Sequence, residues 1–132
     1  MLHASRLRRQ TLVPAIGLLA TVALAGLVTA GAARRPESAV REAARAYAGA
    51  LAAGDARAAA EHRADRDPGP EQPRAEALRG VHWAVREVRL AESRDEARVT
   101  ILWVGREGRQ QEERQLWALD ERGVWTFVGL GR

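Results

Sequence analysis

Residues 36–55 read PESAVREAARAYAGALAAGD, and their apolar positions decide how the chain begins to fold. Val40, Ala44, Tyr47 and Leu51 recur at i, i+4, i+7 and i+11, one stripe of a 3.6-residue period, with Arg41, Glu42 and Arg45 largely off it. Pro36 and Glu37 suit a first helical turn, where a missing N–H costs little and a carboxylate meets the positive end of the helix dipole. Gly54 is placed to end this helix in a left-handed conformation, and Asp55 can cap a second one running from Ala56 to about Arg63. One apolar stripe on a helix needs a surface to cover, and the sequence downstream supplies a sheet.

From Val81 the period changes to two. Val81, Trp83 and Val85 alternate, then the phase slips to Val88 and Leu90, which predicts a β-bulge near Arg86 and Glu87. Further strands are predicted over Ala97–Val104, Leu116–Leu119 and Val124–Leu130, with Gly105, Gly108 and Gly123 marking turns. Between helices and strands, ADRDPGPEQP (64–73) gathers three prolines and a glycine and reads as a loop, followed by a short helical turn near Arg74–Arg79. After Ala33 only seventeen residues are Leu, Ile, Val or Phe, so Trp83, Trp103, Trp117 and Trp125, all on predicted strands, are expected to supply much of the core. The reading is an α+β domain: two or three helices covering a curved, four-stranded antiparallel sheet.

Upstream, TLVPAIGLLATVALAGLVTAGAA (11–33) carries no charge over twenty-three residues, and a helix of about twenty residues spans a bilayer core of about 30 Å. Arg6, Arg8 and Arg9 precede it. The expected organisation is a basic tail (1–10), a transmembrane anchor or signal peptide (11–33) and a small domain (34–132). Ala30-Gly31-Ala32 offers a cleavage site, whereas the length of the apolar run favours retention as an anchor in the lipid bilayer. A basic tail ahead of such a run places the domain outside the cell membrane, although Arg34, Arg35, Arg41 and Arg45 weigh against the positive-inside rule. Cleavage near Ala32 would instead give a secreted domain.

Composition narrows the function. The chain has no Cys, which excludes disulfides, thiolate metal sites and cysteine nucleophiles. Three of its 21 cations lie before the apolar run, leaving eighteen Arg against 17 acids in the domain. A nearly neutral, interleaved surface lacks the footprint of nucleic-acid binding. His62 lies beside Glu61 and near Asp65, but no second His stands at a ligand spacing and His82 falls on a strand face opposite Trp83, so no metal or other cofactor is expected. Ser is confined to Ser5, Ser38 and Ser93, without a nucleophile motif.

The string AYAGALAAGD (46–55), followed by a second helix, a loop and strands closing in LDERGVWTFVGL (119–130), resembles the nuclear-transport-factor-2-like superfamily, which includes the SnoaL-like domains. The resemblance implies a cone in which helices wrap over a curved sheet; the superfamily holds isomerases, dehydratases and scaffolding domains alike. In its ketosteroid-isomerase-like branch a Tyr stands eight residues before the Gly-Asp aspartate, the spacing of Tyr47 to Asp55. That Tyr donates to an enolate oxygen, and Asp67, preceding Pro68, corresponds to the branch's general base. The branch's second acidic donor falls near Gln115, where this chain has an amide. Tyr47, Asp67 and Gln115 are therefore the candidate ligand pocket, with no complete catalytic set. The missing acid favours a non-enzymatic accessory or assembly module, with a protein partner or self-association, over a secreted pocket protein or vestigial isomerase. The layout of tail, span and domain also resembles scaffold components of type IV secretion systems and Mce-associated membrane proteins.

Overall fold

The computed structural model describes residues 35–131, so the expectations for the basic tail and for residues 11–33 lie outside the described residues. No helix among the described residues is long and apolar enough to cross a membrane. Three helices, α1 (Pro36–Ala52), α2 (Ala56–Ala60) and α3 (Gln72–Leu78), precede four strands, β1 (His82–Leu90), β2 (Glu96–Val104), β3 (Gln110–Leu119) and β4 (Trp125–Leu130). The strands form one antiparallel meander in the order β1-β2-β3-β4. This is the α+β arrangement that the two periodicities imply.

The stripe of α1 packs as its spacing requires: Val40, Ala44, Tyr47, Ala48 and Leu51 are completely buried. Opposite them stand Val99, Ile101 and Trp103 of β2, Trp117 of β3, and Trp125 and Phe127 of β4. Trp103, Trp117 and Trp125 are buried, whereas Trp83 is half-buried at the margin, against Gly49 of α1. Burial of each such aromatic removes on the order of 150–250 Å² from water, which is how a chain poor in aliphatic residues closes a core.

α1 ends in a Schellman motif, with Gly54 at φ 75°, its N–H donating to the Leu51 carbonyl at 2.9 Å and the Asp55 N–H to the Ala50 carbonyl at 2.9 Å. Asp55 then caps α2, its Oδ1 accepting from the Ala58 N–H at 3.0 Å. α2 is shorter than the sequence suggests, stopping at Ala60 instead of near Arg63. The reason lies in β4: the Phe127 N–H donates to the His62 carbonyl at 2.7 Å and Arg63 forms a parallel bridge to Phe127, so the chain leaves the helix to pair with the edge strand.

The loop is also shorter than expected. Residues 64–73 read as a breaker, yet a 3₁₀ turn spans Gly69–Glu71 and α3 starts at Gln72. Pro70 and Pro73 occupy the first turns of these two elements, where an absent N–H leaves no bond unmade. In β1 the register shifts between Val85 and Glu87, at the phase slip. A second shift lies between Leu116 and Trp117 and leaves Val128 as the extra residue on β4. β3 begins at Gln110, six residues before the predicted strand, because its inward positions there are polar.

Gly54 is a local test of this frame. A Cβ there would stand 2.4 Å from Arg79 Nε, and the positive φ disfavours any side chain. Gly54→Ala is expected to lower stability by about 1–2 kcal/mol in urea unfolding, whereas Gly108→Ala, with nothing within 4 Å of its Cβ, bears the conformational cost alone.

Candidate functional site

The concave face of the sheet does not present an empty pocket at the predicted residues. Tyr47, on the buried stripe of α1, points its hydroxyl at Glu71 at the end of the 3₁₀ turn and donates to Oε1 at 2.8 Å. Glu71 is 1% exposed. Its Oε2 accepts from Arg63 Nη1 at 3.2 Å, and Arg74 Nε stands 3.6 Å from Oε1. Arg74, one helical turn after Glu71, then crosses to the sheet: its two terminal nitrogens donate to the two oxygens of Glu113 on β3, at 2.9 and 2.8 Å. Gln115, two residues along the same strand face, donates to Glu113 Oε1 at 2.9 Å and accepts from the Trp117 indole N–H at 2.9 Å. The Trp117 ring meets the Tyr47 ring edge-on at 5.8 Å. The contacts therefore close a circuit from Tyr47 through Glu71, Arg74, Glu113, Gln115 and Trp117 back to Tyr47.

Aromatic packing seals it. Phe127 stacks on Tyr47 at 4.5 Å, Trp117 meets Phe127 edge-on at 5.8 Å, and His62 lies edge-on to both Tyr47 and Trp117 at 6.1 and 6.2 Å. Each such pair adds about 0.5–1.5 kcal/mol beyond area burial. The Arg74 guanidinium sits 6.0 Å from the Tyr47 ring centroid, within reach of the ring's negative face.

Electrostatics follow from this packing. Burial raises the Tyr47 phenol well above its usual range, and the hydrogen bond to Glu71 acts in the same direction, so the proton stays on the hydroxyl. Burial alone would lower Arg74, but the hydrogen bonds and charge of Glu113 together with Tyr47 outweigh it and hold the guanidinium firmly charged. Burial likewise opposes the charge on Glu113, yet donors from Arg74 and Gln115 keep its carboxyl below the ordinary range. The Trp103 indole favours the same ionised form without closing a hydrogen bond. His62 is pushed below its ordinary value by burial, partly offset by Glu61.

Of the predicted pocket residues, Tyr47 and Gln115 belong to one network, joined through Trp117 and through Glu71, Arg74 and Glu113. Asp67 does not enter it. Asp67 is exposed, and its Oδ1 accepts from the Gly69 N–H at 3.0 Å, shaping the turn that starts the 3₁₀ segment. The acid that faces Tyr47 is Glu71, four residues later. Asp65, also exposed, pairs with Arg63 at 3.1 Å, and His82 lies exposed at the start of β1. No cluster of metal-ligating side chains occurs among the described residues, and the oxygens of Glu71 and Glu113 already face guanidinium or hydroxyl donors.

Glu71, Arg74, Glu113 and Arg63 were not singled out by the sequence. Two signals were there to find: Glu71 and Arg74 stand three apart across a helix start, and Glu113, Gln115 and Trp117 share the two-residue period of β3.

With the geometry described, similarity to known structures is informative about the fold. No protein-family model matches the sequence, and no curated protein matches it significantly. A solved structure from Campylobacter jejuni, described as an NTF2-like transpeptidase, superimposes with a TM-score of 0.51 at 14% identity, covering 70% of this chain and 96% of that one. Another, from Xanthomonas campestris and described as a calcium/calmodulin dependent protein kinase II association domain, gives 0.40 at 14% identity, over 64% of this chain and 76% of that one. The domain thus has the nuclear-transport-factor-2-like fold. At such identity the likeness extends to the fold and not to the chemistry.

The circuit makes two predictions. Tyr47→Phe removes one donor from buried Glu71 and should cost about 1–3 kcal/mol; Arg74→Met leaves Glu113 without its guanidinium and Glu71 with that of Arg63 alone, and should cost about 3–5 kcal/mol, both read from urea midpoints. Stability should also fall with pH in two stages. Burial holds the His62 imidazole below 6.5, so the unfolded chain takes up its proton first and stability declines as pH drops from about 6.5. The Glu113 carboxyl is held below 4.5, so its contribution is complete above that value and is lost as pH falls through it. Asp65 and Asp120, lowered by hydrogen bonds from Arg63 and from the Val124 N–H respectively, add to the lower stage. His62→Gln should flatten the slope between pH 5 and 7, approximately one pH unit or so either side of the ordinary His value, and leave the acid stage in place.

Proposed function

We propose that this domain is a non-enzymatic accessory or assembly module, carried at the extracytoplasmic face of a membrane by residues 11–33 and acting through its exposed surfaces. The observation that carries the reading is the closed circuit in the cone. Tyr47 and Gln115 are fully buried, Glu71 nearly so, and each is bonded to a neighbour within the domain. A general base needs an open line to a substrate proton and a hydroxyl donor needs a free proton to give. Here the Tyr47 proton is committed to Glu71, and Asp67 to a turn. A ketosteroid-isomerase-like reaction would require breaking the Tyr47–Glu71 bond and supplying an acid where Gln115 stands.

Support for the placement comes from the charge-free run of residues 11–33 behind Arg6, Arg8 and Arg9. The contrasting organisation is a secreted domain released by cleavage near Ala32, with a small molecule in the cone.

Native mass spectrometry of the full chain, tagged at its C-terminus and extracted from its own membranes in mild detergent, tests the reading. The expected species keeps its first 33 residues and carries a second protein or further copies of itself, and Tyr47→Phe leaves that assembly intact. An unaccompanied monomer in the membrane, or a fluid-borne chain starting near Ala33 with a small-molecule adduct lost in Tyr47→Phe, would overturn it.

A further inference from the structure

The outward positions of the sheet carry charge where the inward ones carry the core. Arg86, Glu87 and Arg89 on β1, Arg98 and Thr100 on β2, and Glu112 and Arg114 on β3 line a cleft of about 400 Å³ on the face away from the helices. Its charges do not balance. Arg86 reaches Glu112 at 2.7 Å and Arg89 reaches Glu87 at 3.2 Å, which engages both carboxylates of the cleft. Arg98 is exposed and has no carboxylate partner among the described residues.

The sheet register sharpens the imbalance. Arg98 lies directly opposite Arg89, and Thr100 lies directly opposite Arg114. Like charges directly opposite on an antiparallel pair are destabilising, so the sheet gains nothing from the Arg89–Arg98 pair by itself. An anion between them removes the repulsion, and guanidinium forks match the oxygens of a carboxylate or phosphate.

The cleft does not end at the arginines. Towards β4 it passes into a second hollow of about 330 Å³, lined by Leu90, Leu116, Ala118 and Val128 and also by Glu96, and Arg89 and Arg98 line both. Val128, the extra residue of the β4 bulge, is 61% exposed. A cationic hollow and a mainly apolar one, joined at two shared arginines, have the polarity pattern of one kind of molecule.

The geometry points to a binding site for an anionic amphiphile on the helix-free face of the sheet. Its carboxylate or phosphate head lies between Arg89 and Arg98, and its aliphatic chain runs over Leu116, Ala118 and Val128. A membrane lipid and a free alkyl phosphate or fatty acid share this chemistry. The site is separate from the buried circuit and holds whether or not the accessory role proposed above is correct.

The test uses the full chain in neutral-detergent micelles, with adducts counted by native mass spectrometry during titration with dioctanoyl phosphatidate, octyl phosphate, dioctanoyl phosphatidylcholine or inorganic phosphate. Phosphatidate or octyl phosphate should bind at least about tenfold more tightly than phosphatidylcholine or inorganic phosphate, a difference that one charge-assisted contact can supply. Preference for the two-chain ligand identifies a lipid as the source, and equal binding of octyl phosphate a free amphiphile. Arg98→Gln should weaken either by about tenfold with no loss of thermal midpoint, while Tyr47→Phe leaves the adducts as in the wild type. Equal binding of inorganic phosphate or of phosphatidylcholine, or adducts indifferent to Arg98→Gln, would overturn the site. So would a dimer that Arg98→Glu splits into monomers while no amphiphile binds, which would assign the face to a second copy.

Discussion

The bidentate pair between Arg74 and Glu113 is the constraint on which the rest of the domain depends. It joins α3, a helix of seven residues, to the middle of the sheet, at 2.9 and 2.8 Å. α3 offers only Ala75 as a buried apolar residue, so hydrophobic packing alone would hold it weakly. The guanidinium supplies what the helix lacks in apolar area, and its fork fixes direction as well as distance. Glu71 follows from the same placement, because it stands a turn before Arg74 and is carried under Tyr47 with it.

Filling a cone with charges is not the cheapest way to stabilise it. Desolvating two carboxylates and a guanidinium costs several kcal/mol per ion, and a well-packed apolar set often does as well or better. What the circuit contributes is exclusivity of arrangement. Glu113 accepts from two donors, Arg74 and Gln115, and Gln115 in turn both donates and accepts, so that rotating any member strands a neighbour. Much of the apolar core is small or aromatic, with Ala44, Ala48, Ala59 and Ala75 beside Tyr47, Trp117 and Phe127, and aliphatic bulk comes from few residues such as Leu51 and Ile101. Alanine faces interdigitate poorly and would tolerate sliding. The polar circuit removes that freedom.

The same property limited what the sequence could disclose. α1 was legible because Val40, Ala44, Tyr47 and Leu51 obey one period and nothing else competes, and the β1 bulge because the phase slips between Val85 and Val88. β3 was half hidden, since Gln111, Glu113 and Gln115 occupy inward-phase positions of the strand with polar side chains, and a reading by hydrophobic alternation begins only at Leu116. The helical turn expected near Arg74–Arg79 is α3, but its start at Gln72 and the 3₁₀ turn before it were hidden by prolines that elsewhere end helices and here start them. For the site, Tyr47 was within reach through its helical stripe and its spacing to Asp55, and Gln115 only through the family resemblance. Glu71 was not, because its partners Tyr47 and Arg63 lie 24 and 8 residues away, a proximity produced by folding and absent from the local pattern. The Asp-Pro pair at 67–68 drew the eye to the wrong carboxylate: a short side chain just before a turn satisfies the turn's own N–H before it can reach inward.

β3 also couples the two faces of the sheet. Its odd positions Glu113, Gln115 and Trp117 build the buried circuit, and its even positions Glu112, Arg114, Leu116 and Ala118 line the outward clefts. Strands exchange their faces on a one-residue slip. For most strands the hydrophobic pattern forbids that, but Gln110–Gln115 has none to enforce. Further along the same strand buried Trp117 fixes the alternation, and Arg74 holds the polar stretch to it by setting its fork against Glu113. A slip that brought Arg114 to the place of Glu113 would set like charges together, a penalty that grows as the dielectric falls, and the opposite slip, which brings Glu112 there, would turn Trp117 out of the core. The ion pair that holds a small helix thus acts with Trp117 on the same strand, and together they decide which residues the outer face presents.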